Sequence, residues 1–189
     1  ILNYFKKGNA FNKIYIIGHS QGSLVGMVAS KEGADGFISV AGAGKTIDAV
    51  IIDQIENTAP MFTEVAKRVF SIMKEGKTTS DFPIALGSIF NLEVQPFMMS
   101  WMAYNPQEEI EPLEIPILII NGTKDLQVSE AEAQLLHEAN TNSTLKIIDK
   151  MNHILVPING DALVNSKSYN ESFRKLSTEL IDAIINFIK

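Results

Sequence analysis

Three residue types that can do acid–base and nucleophilic chemistry together stand far apart in this chain: a serine, an aspartate and a histidine. Ser20 lies in "GHSQG" (18–22), with the apolar run "KIYIIG" (13–18) leading in and a helical stretch leading out. A strand, a sharp turn and a helix in that order lift a hydroxyl clear of a sheet's C-terminal edge. They leave it at a helix N-terminus, where backbone dipoles favour developing negative charge. Gly18 and Gly22 are the expected elbow glycines, on the reasoning that side chains there would collide with the neighbouring strand and helix.

A serine hydroxyl is a poor nucleophile until a base takes its proton, and histidine is the usual base. The chain has three histidines. His19 sits inside the elbow beside Ser20, and adjacent side chains on such a turn point apart. His137 falls in the middle of the helical "LLHEAN". His153, in "DKMNHIL", follows a strand-like run, where a parallel sheet presents functional side chains, so it is the candidate base. The base needs a carboxylate to fix its tautomer. Asp125 in "ILIINGTKDLQVS" follows a turn built on Asn121–Gly122 at another strand end and is the candidate; Asp149 is its rival, and Asp35 and Asp48 are weaker.

The elements that must position these groups can be read from the pattern. Four apolar runs of strand length occur at 13–18, 36–41, 115–121 and 144–150, the first three nearly continuous as in buried parallel strands. Helical stretches at 20–32, 128–140 and about 170–188 alternate with them. The second should open on an N-cap Ser129 with Glu132 as capping-box partner. The third should present Leu176, Leu180, Ile184 and Ile188 along one face. Strand and helix in alternation predict an α/β fold with a parallel sheet flanked by helices. The stretch 45–108 breaks the rhythm: it is helical and rich in Phe and Met, from Phe62 to Met102. It is expected to be an inserted helical lid or cap between core segments 1–44 and 109–189, its apolar residues forming a small core of its own or lining a pocket.

"GHSQGSLVG", "PILIINGTKDLQV" and "MNHIL" resemble the nucleophile, acid and histidine regions of the α/β-hydrolase superfamily. More narrowly, they are similar to bacterial carboxylesterases and serine-aminopeptidase-like hydrolases, and "VQPFMMSWMAYNP" looks like the lid-to-core return of that esterase group. The order Ser20, Asp125, His153 is the order of that superfamily. The resemblance implies Ser20 as nucleophile, His153 as general base, Asp125 as its orienter and the backbone amide of Gln21 as an oxyanion donor. It implies a small-molecule ester substrate, an acyl-enzyme intermediate, and neither cofactor nor metal. A serine aminopeptidase of the same fold, with Glu108, Glu109 and Glu111 beside the lid, is the alternative; a non-catalytic binding module on the same fold is another.

The family sheet normally has eight strands with the nucleophile after the fifth, whereas Ser20 follows the first strand here. The chain is therefore expected to be the C-terminal part of a longer hydrolase: a partial fold, completed by a preceding segment or by another chain. The second oxyanion donor is expected from that part. Losing one such donor typically costs about 2.7–4 kcal/mol of transition-state stabilisation, so the activity of this piece is expected to depend on the completing strands.

Composition narrows the rest. The 189 residues carry 16 Lys and Arg against 22 Asp and Glu, with no basic cluster, which argues against a nucleic-acid partner or an anionic membrane surface. No apolar run reaches membrane-spanning length. There is no cysteine, which is compatible with a reducing compartment such as the cytoplasm; any targeting signal is expected upstream. "SVAGAGKTID" (39–48) resembles a phosphate-binding loop, but Ser39 stands where that loop needs its first glycine.

Overall fold

The computed structural model describes residues 2–7 and 11–189. In chain order the elements are α1 (Leu2–Lys7), β1 (Tyr15–His19), α2 (Gln21–Ser30), β2 (Gly36–Val40), α3 (Ile47–Thr58), α4 (Thr63–Lys74), α5 (Gly87–Phe90) and α6 (Gln95–Met102). Then follow α7 (Pro106–Ile110), β3 (Ile117–Gly122), α8 (Glu130–Ala139), β4 (Thr144–Ile148), α9 (Ala162–Ser168) and α10 (Thr178–Ile188). The amphipathic opening "ILNYFKKGN" is described only over α1; Ile1 and residues 8–10 lie outside the described residues. The chain divides into two compact units, Ile1–Gly44 with Pro106–Lys189, and Lys45–Asn105.

The first unit is built on a four-stranded, all-parallel sheet in the order β1-β2-β3-β4. β2 and β3 are buried at every position, because Phe, Ile, Val and Leu point to both faces and both faces are covered. Register runs from Ile17↔Ile38 through Ile38↔Leu118 to Leu118↔Thr144. Gly26 lets α2 lie close on the sheet: a Cβ there would stand 2.6 Å from the Phe37 ring. A second core, beneath Leu180, Ile184 and Phe187 of α10, gathers Ile38, Val40, Leu118, Ile120, Ile148 and Met151. Among the described residues β1 pairs on one edge only.

Two local expectations are corrected. The last helix begins at Thr178 rather than near 170, because Ser177 caps it, its hydroxyl accepting from the Leu180 amide; Leu176 lies before the cap and is half exposed. Ser129 does precede α8, but its side chain makes no capping bond. The Glu132 carboxylate is buried and accepts from the Gly44 amide, a tertiary bond that lies outside the local motif.

The second unit contains no strand among its described residues. Its core is Ile55, Ala66, Val69, Phe70, Met73, Leu86, Phe90 and Met98, with Phe62, Phe82, Met99, Trp101 and Met102 packed against it. Most of the Phe and Met side chains are thus the core of a small helical unit. Gln95, fully buried, ties its loops: the carboxamide bonds both backbone groups of Thr79 and the carbonyl of Phe90. Its Asp48 is buried and meets Lys74 at 2.6 Å.

Candidate active site

Ser20 lies between β1 and α2 with φ 55° and ψ −124°, a left-handed conformation that an L-residue adopts at a cost of about 1–3 kcal/mol. Surrounding bonds hold it there. Its amide donates to Val40 O at 2.9 Å, and its carbonyl accepts from Ser23 N at 2.9 Å. Gly18 is required by space: a Cβ would sit 2.2 Å from the Gly22 carbonyl oxygen. Gly22 is different, and the collision expected there is absent, since a Cβ at Gly22 meets nothing within 4 Å. The crowding is between Gly18 and the backbone of residue 22, not at residue 22's own side-chain position. Beneath the elbow Ser23 and Ser39 share a buried hydrogen bond of 2.6 Å. Gln21 begins α2, so its N–H belongs to the helix end whose amides have no intrahelical partner.

Asp125 and His153 stand on loops after β3 and β4, on the same sheet edge as Ser20. Neighbouring strands lie about 4.8 Å apart, so β1 and β4 are separated by roughly 14 Å. A projecting loop must span that gap. Residues 149–158 do so as a tight reversal closed by the Met151↔Pro157 bridge, Asn152 N to Val156 O at 3.1 Å and Ile158 N to Lys150 O at 2.8 Å. Positive φ angles at Lys150 (61°) and Leu155 (66°) turn the chain on either side of His153.

The three side chains meet. His153 Nδ1 is 2.8 Å from Asp125 Oδ2, and His153 Nε2 is 3.0 Å from Ser20 Oγ. The His153 and Asp125 side chains are 6% and 1% exposed, so the bond between them is largely shielded from water. Asp125 Oδ1 accepts from the amides of Gln127 and Val128, both at 2.8 Å, which fixes the carboxylate's orientation. An ionised carboxylate only accepts, so the proton of a neutral imidazole resides on Nδ1. Nε2 is then a lone pair, and the Ser20 hydroxyl donates to it. That polarity is the one needed for removing the serine proton.

The rival residues are engaged elsewhere. Asp149 accepts from the Thr123 hydroxyl, Asp35 from the Ile14 amide, and Asp48 pairs with Lys74. His137 bonds Ser143 Oγ at 2.8 Å. His19 has a partner that sequence reasoning did not assign: its Nε2–H donates to the His153 carbonyl at 2.8 Å. Asn121 was also missed; its Nδ2 donates to the carbonyls of Val128 and Ser129, closing the loop that carries Asp125. His19 fills a variable position of "GHSQG" and Asn121 opens the turn before Asp125, but neither residue type nor spacing signals these bonds. Beside the acid and base, burial and then the Asp125 charge push the Tyr169 phenol above its usual value.

No group of three or more His, Cys, Asp or Glu side chains suited to a metal occurs among the described residues. The loop-like "SVAGAGKTID" is occupied by the protein itself: the Gly44 amide holds the Glu132 carboxylate at 2.9 Å, and Lys45 pairs with Asp53 at 2.7 Å. A carboxylate thus takes the amide that a phosphate would need. No helix among the described residues is long and apolar enough to cross a membrane.

The parallel sheet, with an elbow after β1 and two loops converging on it from later strands, is the sheet of the α/β-hydrolase fold, here present in part. No family model matches the chain. Among curated proteins it is 24% identical over 158 residues to the esterase EstD of Thermotoga maritima, covering 80% of this chain and 37% of that protein. The chain therefore spans little more than a third of that relative's length. Among solved structures, Est1E of Butyrivibrio proteoclasticus with bound ferulic acid aligns with a TM-score of 0.54 at 17% identity, over 89% of this chain and 62% of that one. A bromoperoxidase from Bacillus anthracis aligns with a TM-score of 0.51 at 16% identity, over 99% of this chain and 71% of that one.

Proposed function

We propose that this chain carries the catalytic residues of a serine hydrolase that cleaves carboxylic esters. Ser20 Oγ attacks the ester carbonyl as its proton passes to His153 Nε2, and Asp125 stabilises the imidazolium through Nδ1–H. The Gln21 amide, at the positive end of α2, donates to the developing oxyanion. Collapse of the tetrahedral intermediate breaks the bond to the alkoxide oxygen, which leaves as the alcohol with the proton from Nε2. Water then gives a proton to Nε2 as it attacks the acyl carbonyl; the acyl–Oγ bond breaks, Nε2 returns that proton to Ser20 Oγ, and the products are an alcohol and a carboxylic acid. No cofactor takes part. A segment or second chain paired to the open edge of β1 would add a second oxyanion donor.

The hydrogen-bonded series Asp125–His153–Ser20, at 2.8 and 3.0 Å, carries this reading. The curated relative's name supports esters over peptides. The test is labelling with a fluorophosphonate probe, the modified peptide located by mass spectrometry. Label on Ser20 that disappears in Ser20→Ala and His153→Ala supports the reading; label elsewhere, or none, overturns it. Faster cleavage of amino-acid p-nitroanilides than of p-nitrophenyl esters would overturn the ester assignment.

A further inference from the structure

The elbow fixes Ser20, but the acid and the base stand on two separate loops, and their bond needs those loops held at one spacing. Several contacts join the strand ends. Lys124 N donates to Met151 O at 2.9 Å, and Gly122 packs so closely on Met151 that a Cβ would stand 2.0 Å from its carbonyl oxygen. The last residue before each functional side chain is held differently, by one side chain from a third element.

We propose that Asn165, on α9, is a positioning residue that sets the spacing of Asp125 and His153; this rests on the reading of those residues given above. Its Nδ2 donates at 2.6 Å to the carbonyl of Lys124, the residue before Asp125. Its Oδ1 accepts at 2.9 Å from Nδ2 of Asn152, the residue before His153. A single planar carboxamide therefore spans both loops. The opposite orientation of that amide would set its oxygen against the Lys124 carbonyl and its nitrogen against the Asn152 amide nitrogen, so the chemistry of the partners fixes which way it faces.

The surrounding bonds make the strut stiff. Asn152 Nδ2 also donates to Ser168 Oγ at 2.9 Å, Asn152 Oδ1 accepts from Val156 N at 3.2 Å, and Ser168 Oγ donates to Asn165 O at 2.6 Å. Asn152, Asn165 and Ser168 are at most 2% exposed. Three buried polar side chains cost desolvation that apolar packing would avoid, and a satisfied network returns geometric definition. Here that definition falls between the acid and the base. All three groups are neutral, so the strut does not titrate.

Two variants test it. Asn165→Asp retains the shape and the acceptor toward Asn152 but sets oxygen against oxygen at Lys124; Asn165→Ala removes both bonds. Both are expected to slow fluorophosphonate labelling of Ser20 by about 10–100-fold in fully folded protein, as for a misplacement near 1 Å. The second readout needs no catalysis: the exchange-protected proton NMR signal of His153 Nδ1–H, recorded in a Ser20→Ala background. It is expected in the parent and lost or broadened in both Asn165 variants. Leu136→Ala, a core truncation in α8, serves as a control that lowers the melting temperature and leaves the signal intact. An unchanged signal and labelling rate in Asn165→Ala, with only the melting temperature lowered, would overturn the proposal. If the parent shows the signal but never labels on Ser20, the hydrolase reading fails, and loss of the signal in the Asn165 variants still supports the positioning role.

Discussion

The two glycines of "GHSQG" should respond oppositely to the same change. At Gly18 an added methyl would stand 2.2 Å from Gly22 O, 2.6 Å from Gly22 C and 2.7 Å from Ser23 Cα, where ordinary contact begins at 3.4 Å. All three neighbours are backbone, so the first turn of α2 must retreat by about 1 Å, the difference between the contact found and the contact tolerated. Overpacking of this kind costs about 1–3 kcal/mol of stability. The same displacement moves Ser20 from its 3.0 Å bond to His153, and misplacement on that scale costs about 10²-fold in rate. At Gly22 a methyl meets nothing, and the residue lies inside α2, where alanine is favoured over glycine by about 0.5–1 kcal/mol. The measurement is the labelling rate of Ser20 by a fluorophosphonate, with thermal unfolding of each variant alongside. Gly18→Ala should lose rate and stability, and Gly22→Ala should keep its rate and match or exceed the parent's stability. Equal behaviour of the two variants would refute the assignment of the steric demand to Gly18 alone.

Asp125→Asn should lower ester hydrolysis by about 10⁴-fold with little change in stability, because an amide nitrogen facing Nδ1 moves the imidazole proton to Nε2 and removes the base; a loss under tenfold would contradict Asp125 as orienter. In the helical unit, burial raises the Asp48 carboxyl, but the hydrogen bond and charge of Lys74, with a bond from Thr46, outweigh it and hold the group below its usual 3.8. A depressed folded-state value means that stability is present above about pH 3.8 and is lost as pH falls through the lower, folded-state value. Asp48→Asn should therefore be less stable than the parent at neutral pH by about 1 kcal/mol, discounted for the exposure of Lys74, and the difference should close in acid. A gap that persists unchanged at low pH would exclude this pair as its cause.

Much of this protein is legible in one dimension. Continuous apolar runs such as "GFISV" and "ILIIN" can satisfy themselves only as strands covered on both faces, and glycines around a serine between strand and helix announce a sharp turn. Those signals are local, a matter of periodicity and backbone freedom, and they determined the strands, the elbow and the three residues worth following. Contacts distant in sequence belonged to the tertiary structure alone. One is the bond that the Glu132 carboxylate accepts from the Gly44 amide, 88 residues away. The helix expected from 170 waited for the cap at Ser177, since an apolar repeat does not mark where a helix begins. Asn165, Asn152 and His19 carry no periodicity and no charge pattern, so the bonds of Asn165 to Lys124 and Asn152, and of His19 to the His153 carbonyl, emerged only once the chain had folded. The sequence by itself determined which side chains were fit for the chemistry; folding decided their spacing, because a bond such as that between Ser20 and His153, 133 residues apart, is set by packing across four strands and not by any local preference.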